Sequence, residues 1–188
     1  IVAKTAPGII SPHVLALGRW FLAGLILAFI ARSELWQERQ STLNAWKQYV
    51  VLGSLGMLIC GAWVYWAAET TTAINIALIY AASPVLITLG AVIGLKESFS
   101  WRQSLGVVIA LLGVLHVVAK GQWTALSQVV WVFGDGLVVI AMVAWAAYAL
   151  LLKKWASPLS STARLAATCF AGSLILLPLA ITAFLVST

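Results

Sequence analysis

Residues 69–114 read ETTTAINIALIYAASPVLITLGAVIGLKESFSWRQSLGVVIALLGV, two apolar runs joined by one short charged hinge. The first run, residues 72–95, carries no charge. At about 1.5 Å per residue it is long enough to cross a hydrocarbon core about 30 Å thick. The second, residues 103–119, is a shorter span. Between them Lys96-Glu97-Ser98-Phe99-Ser100-Trp101-Arg102 reads as a turn at a membrane surface, and Ser100 with Gln103 has the spacing of a capping box that opens a helix. The stretch is therefore a membrane hairpin. Inside its first arm Pro84 removes a backbone donor and frees the Tyr80 carbonyl one turn earlier, a group that lipid cannot satisfy. That carbonyl is expected to face a bundle or cavity, and Pro84 to act as a hinge. Gly90 and Gly94, then Gly106, Ala110 and Gly113, are spaced to let helix backbones approach closely.

The rest of the chain agrees with this hairpin. Hydrophobic residues make up 63% of 188 and charged residues 9%, and mean hydropathy is +1.04. That leaves too little polar surface to cover a soluble domain. Long apolar runs containing Gly and Pro favour helices over a barrel, whose strands would alternate at period two. The fold class read here is all-α, a polytopic transmembrane helix bundle in the lipid bilayer. The net charge of +6 raises nucleic acid as a partner, but the basic residues lie between spans and form no patch interleaved with aromatics, so none is expected. Cys60 and Cys169 fall inside apolar runs at no metal-ligand spacing, so no metal and no cofactor is expected.

In chain order, residues 1–5 read as the tail of a helix, broken by Pro7-Gly8. Ser11-Pro12 then opens a span to Ala31 with Arg19 as its one charge. Residues 32–47 form a charged connector, 48–67 a span with small residues Gly53, Gly56, Cys60 and Gly61, and 69–72 a short connector before the hairpin. A loop at 121–128, a span at 129–152 whose start Asp135 could set, and a last run from Arg164 to Val186 complete six spans plus a remnant. Arg32, Arg39, Lys47, Lys96, Arg102, Lys153 and Lys154 fall on one side, against Lys120 and Lys4 on the other. The positive-inside rule makes the first side cytoplasmic. Trp46, Trp101 and Trp155 at one end, and Trp66 and Trp123 at the other, fit an interfacial belt.

An internal echo links Lys4, Ser11-Pro12, Arg19 and residues 23–27 to Lys153, Ser157-Pro158, Arg164 and residues 171–176. Its spacing puts five helices in each unit, and an odd number inverts the second copy in the membrane.

The Thr70-Thr71-Thr72 entry, mid-helix Pro84, the Gly94-Leu95-Lys96-Glu97 exit, and Gly106 with Gly113 resemble the EamA-like family of the drug/metabolite transporter superfamily. The resemblance implies two inverted five-helix halves. Residues 1–120 are then the first repeat without the start of its first helix, 121–133 the outer connector, and 134–188 the start of a second, truncated repeat, so the chain is expected to be a piece of a longer protein. It implies a multi-pass protein of the plasma membrane, the bacterial inner membrane in the first instance. Its expected activity is secondary transport, export of a small metabolite, amino acid or drug-like compound by alternating access, with room for a homodimer. An intramembrane enzyme and a non-transporting assembly subunit are the competing readings. Against the enzyme, there is no His-Glu-x-x-His, no Gly-x-Ser-x-Gly and no pair of intramembrane carboxylates.

Depth selects the site candidates. Tyr80 and Trp145 lie well inside their spans and are expected to line the solute cavity, with Asn75 and Arg19 as polar contacts nearer its outer mouth. Glu69 and Asp135 sit at outer helix ends, where a carboxylate could exchange a proton, although a helix N-terminus would also simply stabilise it. Glu97, flanked by Lys96 and Arg102, is expected to be a local ion partner. The topology has a direct check. Single cysteines at Gln40 and Gln122 should react from opposite faces of an intact cell membrane; equal labelling of both by an impermeant reagent added outside would contradict it.

Overall fold

A computed structural model describes residues 11–98, 100–118 and 131–187, and every regular element among them is helical. The remnant helix, Lys4, Lys120, Gln122 and Trp123 lie outside the described residues.

Helix α1, Pro12–Ile30, starts as expected, with the Ser11 hydroxyl accepting the Val14 N–H at 3.3 Å and proline in the first turn. The charged connector is itself helical. It forms α2, Arg32–Gln37, and α3, Arg39–Asn44, where Ser41 donates to the Glu38 carboxylate at 2.8 Å and Thr42 to the Glu38 carbonyl at 2.9 Å. Helix α4, Trp46–Ala67, is a continuous span whose middle, Ser54–Trp63, widens to π-helical pairing. The Ser54 hydroxyl takes the Val50 carbonyl at 2.8 Å where that widening begins.

Helix α5, Ala73–Leu95, is broken at Ala82, whose N–H reaches back only three residues, to the Ile79 carbonyl at 3.1 Å. Pro84 then stands in the first turn of the second half, Ser83–Leu95, where its missing N–H costs least. Lys96 ends α5 in the left-handed region, φ 55°. The capping box that opens α6, Trp101–Val118, is formed: the Gln103 side chain accepts the Ser100 N–H at 2.8 Å, and the Ser100 hydroxyl accepts the Gln103 N–H at 3.3 Å. Helix α7, Phe133–Lys154, begins two residues before Asp135, and α8, Ser161–Ser187, carries Pro178 without breaking.

Five of these helices are long and apolar enough to cross a membrane, α1, α4, α5, α7 and α8, and α6 is a shorter apolar helix. Together they form an all-α polytopic bundle. Helix α8 packs along α1 and against α4, and α7 lies against α4 and both halves of α5, with α6 against the first half of α5. Three apolar clusters fill the seams: Tyr49, Leu52, Tyr148 and Leu159 at one end, Ala16, Met57, Cys169 and Leu176 in the middle, and Ala67, Ile79, Leu137, Val138 and Met142 at the other end.

The first of these ends gathers charge. Lys153 pairs with Glu97 at 2.6 Å, so the ion partner of Glu97 is on α7 and not the flanking Lys96 or Arg102. Glu34 accepts from the Ser160 hydroxyl at 2.6 Å and from the Ser160 N–H, and those two bonds, the hydroxyl first, hold its carboxyl below the usual range. Arg164 donates to the Leu152 and Trp155 carbonyls at 2.7 and 2.6 Å, closing the C-terminus of α7.

Small residues differ in use. A methyl on Gly53 would sit 2.6 Å from the Gly172 backbone nitrogen, so α4 and α8 meet backbone to backbone there. Gly90 meets the Leu150 side chain, but Gly94, Gly106 and Gly113 face open space, so the expected small-residue stripe from α5 to α6 is not an interface among the described residues. Gly53→Ala should therefore cost about 1–3 kcal/mol by overpacking. Gly94→Ala should be neutral or add up to about 1 kcal/mol. Thermal unfolding of the detergent-solubilised protein measures both; equal midpoints would contradict the close approach.

Candidate functional site

Because α7 lies beside α5, the first turns of the two helices stand next to each other. Thr72 caps α5, its hydroxyl accepting the Asn75 N–H and donating to the Asn75 side-chain oxygen, both at 3.1 Å. This turns the Asn75 amide nitrogen onto Asp135, where it reaches both carboxylate oxygens at 3.0 Å. The Thr71 hydroxyl donates to the same carboxylate, and the Val132 N–H adds a bond at 2.8 Å. Thr71, Asn75 and Asp135 are 2, 5 and 1% exposed. Among the described residues every partner of Asp135 is a neutral donor, a set that complements a carboxylate, and the positive end of the α7 dipole lies under it. A methyl on Gly134 would strike the Thr70 hydroxyl and come within 2.6 Å of the Ala67 carbonyl, so only glycine lets α7 start this close to the α4–α5 turn.

Directly beside this group is a cavity of about 450 Å³, lined by Asn75, Leu78, Ile79 and Ala82 of α5, Leu115 of α6, Trp131, and Val139 and Met142 of α7. Its walls are apolar except for the Asn75 amide and the Trp131 ring nitrogen. An enclosure of this kind suits a small, largely apolar molecule oriented by one or two polar contacts.

The structure brings together two of the residues singled out from the sequence, Asn75 in the cavity wall and Asp135 behind it. The others lie apart. Tyr80 is on another face of α5, packed on the Ile79, Val138 and Met142 cluster beside Cys60, whose thiol donates to the Ala141 carbonyl at 3.1 Å. Trp145 stacks on Tyr148, with centroids 5.5 Å apart, and is 40% exposed outside the cavity lining. Arg19 donates to the Tyr65 hydroxyl at 2.7 Å and lies 4.4 Å over the Trp20 ring, between α1 and α4. Glu69 is exposed in the turn before α5, and Pro84 follows the helix break whose residue, Ala82, forms part of the cavity wall. Sequence reasoning missed Thr71 as a partner of Asp135. A polar residue due for burial beside a lone carboxylate was the available signal. It also missed the apolar walls, which no pattern in one sequence distinguishes from packing.

The EamA-like transporter family matches residues 1–119. An uncharacterized transporter of Bacillus subtilis (strain 168), YyaM, is 31% identical over 165 residues, covering 86% of this chain and 54% of that protein. An uncharacterized transporter of Archaeoglobus fulgidus is 28% identical over 148 residues, 77% of this chain and 49% of that protein. The chain spans about half the length of the curated relatives it matches. No solved structure matches it.

Asp135→Ala removes the acceptor shared by three donors, two of them on the buried Thr71 and Asn75, at about 1–3 kcal/mol for each buried donor, whereas Thr71→Val removes one bond worth about 1 kcal/mol. Unfolding of the solubilised protein should rank the two in that order. A smaller loss for Asp135→Ala than for Thr71→Val would show that the carboxylate does not hold the two helices together.

Proposed function

This chain belongs to the EamA-like transporter family, and from that premise we propose that the complete protein moves a small metabolite, amino acid or drug-like solute by alternating access. The chain is a multi-pass membrane protein of a transporter family, and the plasma membrane, export and drive by an ion gradient are parts of the proposal. The observation that carries it is the cavity at the junction of α5, α6 and α7, where the helix that opens the proposed second repeat meets the first. Sites at repeat interfaces, built around broken helices, are a recurrent device of secondary transporters.

In this reading Asn75 orients the solute and Leu78, Ile79, Val139 and Met142 enclose its apolar part. Tyr80 supports Ile79 and Met142 from behind. The break at Ala82 lets the two halves of α5 move separately. The upper half stays on α7 through the Asp135 group, and the lower half packs on α7 where Gly90 meets Leu150, with the exposed Glu97–Lys153 pair beyond it adding about 0–1 kcal/mol. Of the two outer carboxylates, Glu69 is open to exchange with solvent and is the proposed coupling group; Asp135, enclosed by donors, keeps a positioning role.

The test is uptake of labelled solutes by liposomes containing the complete protein, with and without a pH gradient. Val139→Trp, which fills the cavity, should lower the rate at least about tenfold, equivalent to about 1.4 kcal/mol, with insertion intact. Normal transport by Val139→Trp together with loss in Trp145→Ala would move the site to the other face of α7.

A further inference from the structure

We infer that the helical connector between α1 and α4 lies in the headgroup layer of the membrane and binds anionic phospholipids. Backbone bonds run from the N–H of Leu35 to Ala31, Glu38 to Glu34, Thr42 to Glu38, Ala45 to Ser41 and Tyr49 to Ala45, at 2.9–3.3 Å. Each closes an ordinary helical turn, so helical phase persists through the bends at Ala31, Glu38 and Ala45. One row, Ala31, Leu35, Glu38, Thr42, Ala45 and Tyr49, is buried or half-buried. Ala31, Leu35, Ala45 and Tyr49 of that row belong to the apolar cluster shared with Tyr148 and Leu159. Glu34 fastens the same segment to the Ser160 hydroxyl at 2.6 Å. The connector is therefore folded onto the bundle in a fixed orientation.

Two further sectors follow around the same helical phase. About 110° from the bundle row stand Arg32, Trp36, Arg39, Leu43, Trp46 and Lys47. Beyond them come Ser33, Gln37, Gln40 and Asn44, all polar and exposed. In the middle sector Trp36, Leu43 and Trp46 are 71, 63 and 56% exposed. Its cations rest on rings: Arg32 4.9 Å over Phe29, Arg39 5.0 Å over Trp36 and Lys47 5.8 Å over Trp46. The connector's carboxylates are half-buried and lie off this sector, Glu34 on Ser160 and Glu38 accepting from the Ser41 hydroxyl. The segment thus has one side for the bundle, one for water and, between them, one of rings, leucine and positive charge. The bilayer surface is what that third side meets. The connector joins the last residue of one span, Ile30, to the first of another, Trp46, and each of its six-residue helices is about 9 Å long. Rings and leucine enter the boundary between headgroups and acyl chains, while guanidinium and ammonium groups stay at phosphate level. A zwitterionic headgroup brings its own cation to that level. A net negative one is favoured by about fivefold for each Lys or Arg near the surface.

The test is native mass spectrometry of the detergent-solubilised complete protein, titrated with phosphatidylglycerol and with phosphatidylcholine of the same acyl chains. Phosphatidylglycerol should bind at least about tenfold more tightly, and Arg32→Gln, Arg39→Gln and Lys47→Gln together should bring the two within about threefold. Lys96→Gln with Arg102→Gln, which removes exposed charge from the same end of the bundle but off the connector, should leave most of the preference. Depth gives a second readout, in nanodiscs containing phosphatidylglycerol. A spin label on Leu43→Cys should collide more with oxygen dissolved in the bilayer than with a water-soluble nickel chelate, and one on Gln37→Cys should do the reverse. Equal binding of the two lipids, a preference that survives the triple substitution, or one lost as fully with Lys96→Gln and Arg102→Gln would each overturn the inference. So would a label at Leu43 that meets the chelate as freely as one at Gln37, which would turn the sector over to water or to a soluble partner. The solute cavity lies at the other end of α7, so either result leaves the transport reading as it stands.

Discussion

A carboxylate in the interior of a membrane bundle is tolerable only where donors replace the water it has lost, and Asp135 meets that condition with bonds drawn from α5, from the turn before it and from the residue that precedes α7. Meeting it dictates much else. Thr71 and Asn75 must reach α7, so the start of α5 lies against the start of α7 and the turn joining α4 to α5 is drawn in beside both. Gly134 has no side chain because that turn occupies the space a methyl would need. The cavity is the remainder: where α5 is held to α7 at its top and bends at Ala82, a gap opens that Leu115 and Trp131 close from the side.

The two arginines of the proposed internal echo have different surroundings. Arg19 follows Ser11-Pro12 as Arg164 follows Ser157-Pro158, and α1 and α8 pack along each other. Yet Arg19 rests on aromatic faces and one hydroxyl, while Arg164 donates to the last carbonyls of α7. The helix before α8 ends close enough to offer those carbonyls. The contrast is local, set by what each guanidinium finds within reach.

The fold was legible because bilayer thickness and helix caps are written locally. Ser11-Pro12, the Ser100 and Gln103 pair and the break before Pro84 all stand where the residues place them. That the charged connector is itself helical was not legible, because polar composition does not separate a loop from a short surface helix. The site was half legible. Asn75 stood out by its depth and Asp135 as a carboxylate at a helix start, but their meeting depends on which helices are neighbours, and no single sequence states that. Depth alone selected Tyr80 and Trp145, and depth is blind to facing. Tyr80 lies five residues after Asn75, about 140° around the helix axis, and so turns to the Cys60 side.

The widened middle of α4 has a consequence for how the bundle tolerates change. Ser54–Trp63 pairs at π-helical spacing, so the segment holds a residue that an ordinary helix of the same rise would not accommodate. Below it Tyr49 and Leu52 face the Tyr148 cluster, and above it Tyr65 meets Arg19 while Ala67 joins the Ile79 cluster. Removing a single residue from this segment would draw it back to ordinary pitch and leave Tyr65 on Arg19 and the Ala67 carbonyl beside Gly134, whereas removing one from the ordinary helix on either side would swing everything beyond it by about 100°. The widened middle is thus slack in the shaft, the place where the helix can lose a residue without turning the site away from its neighbours.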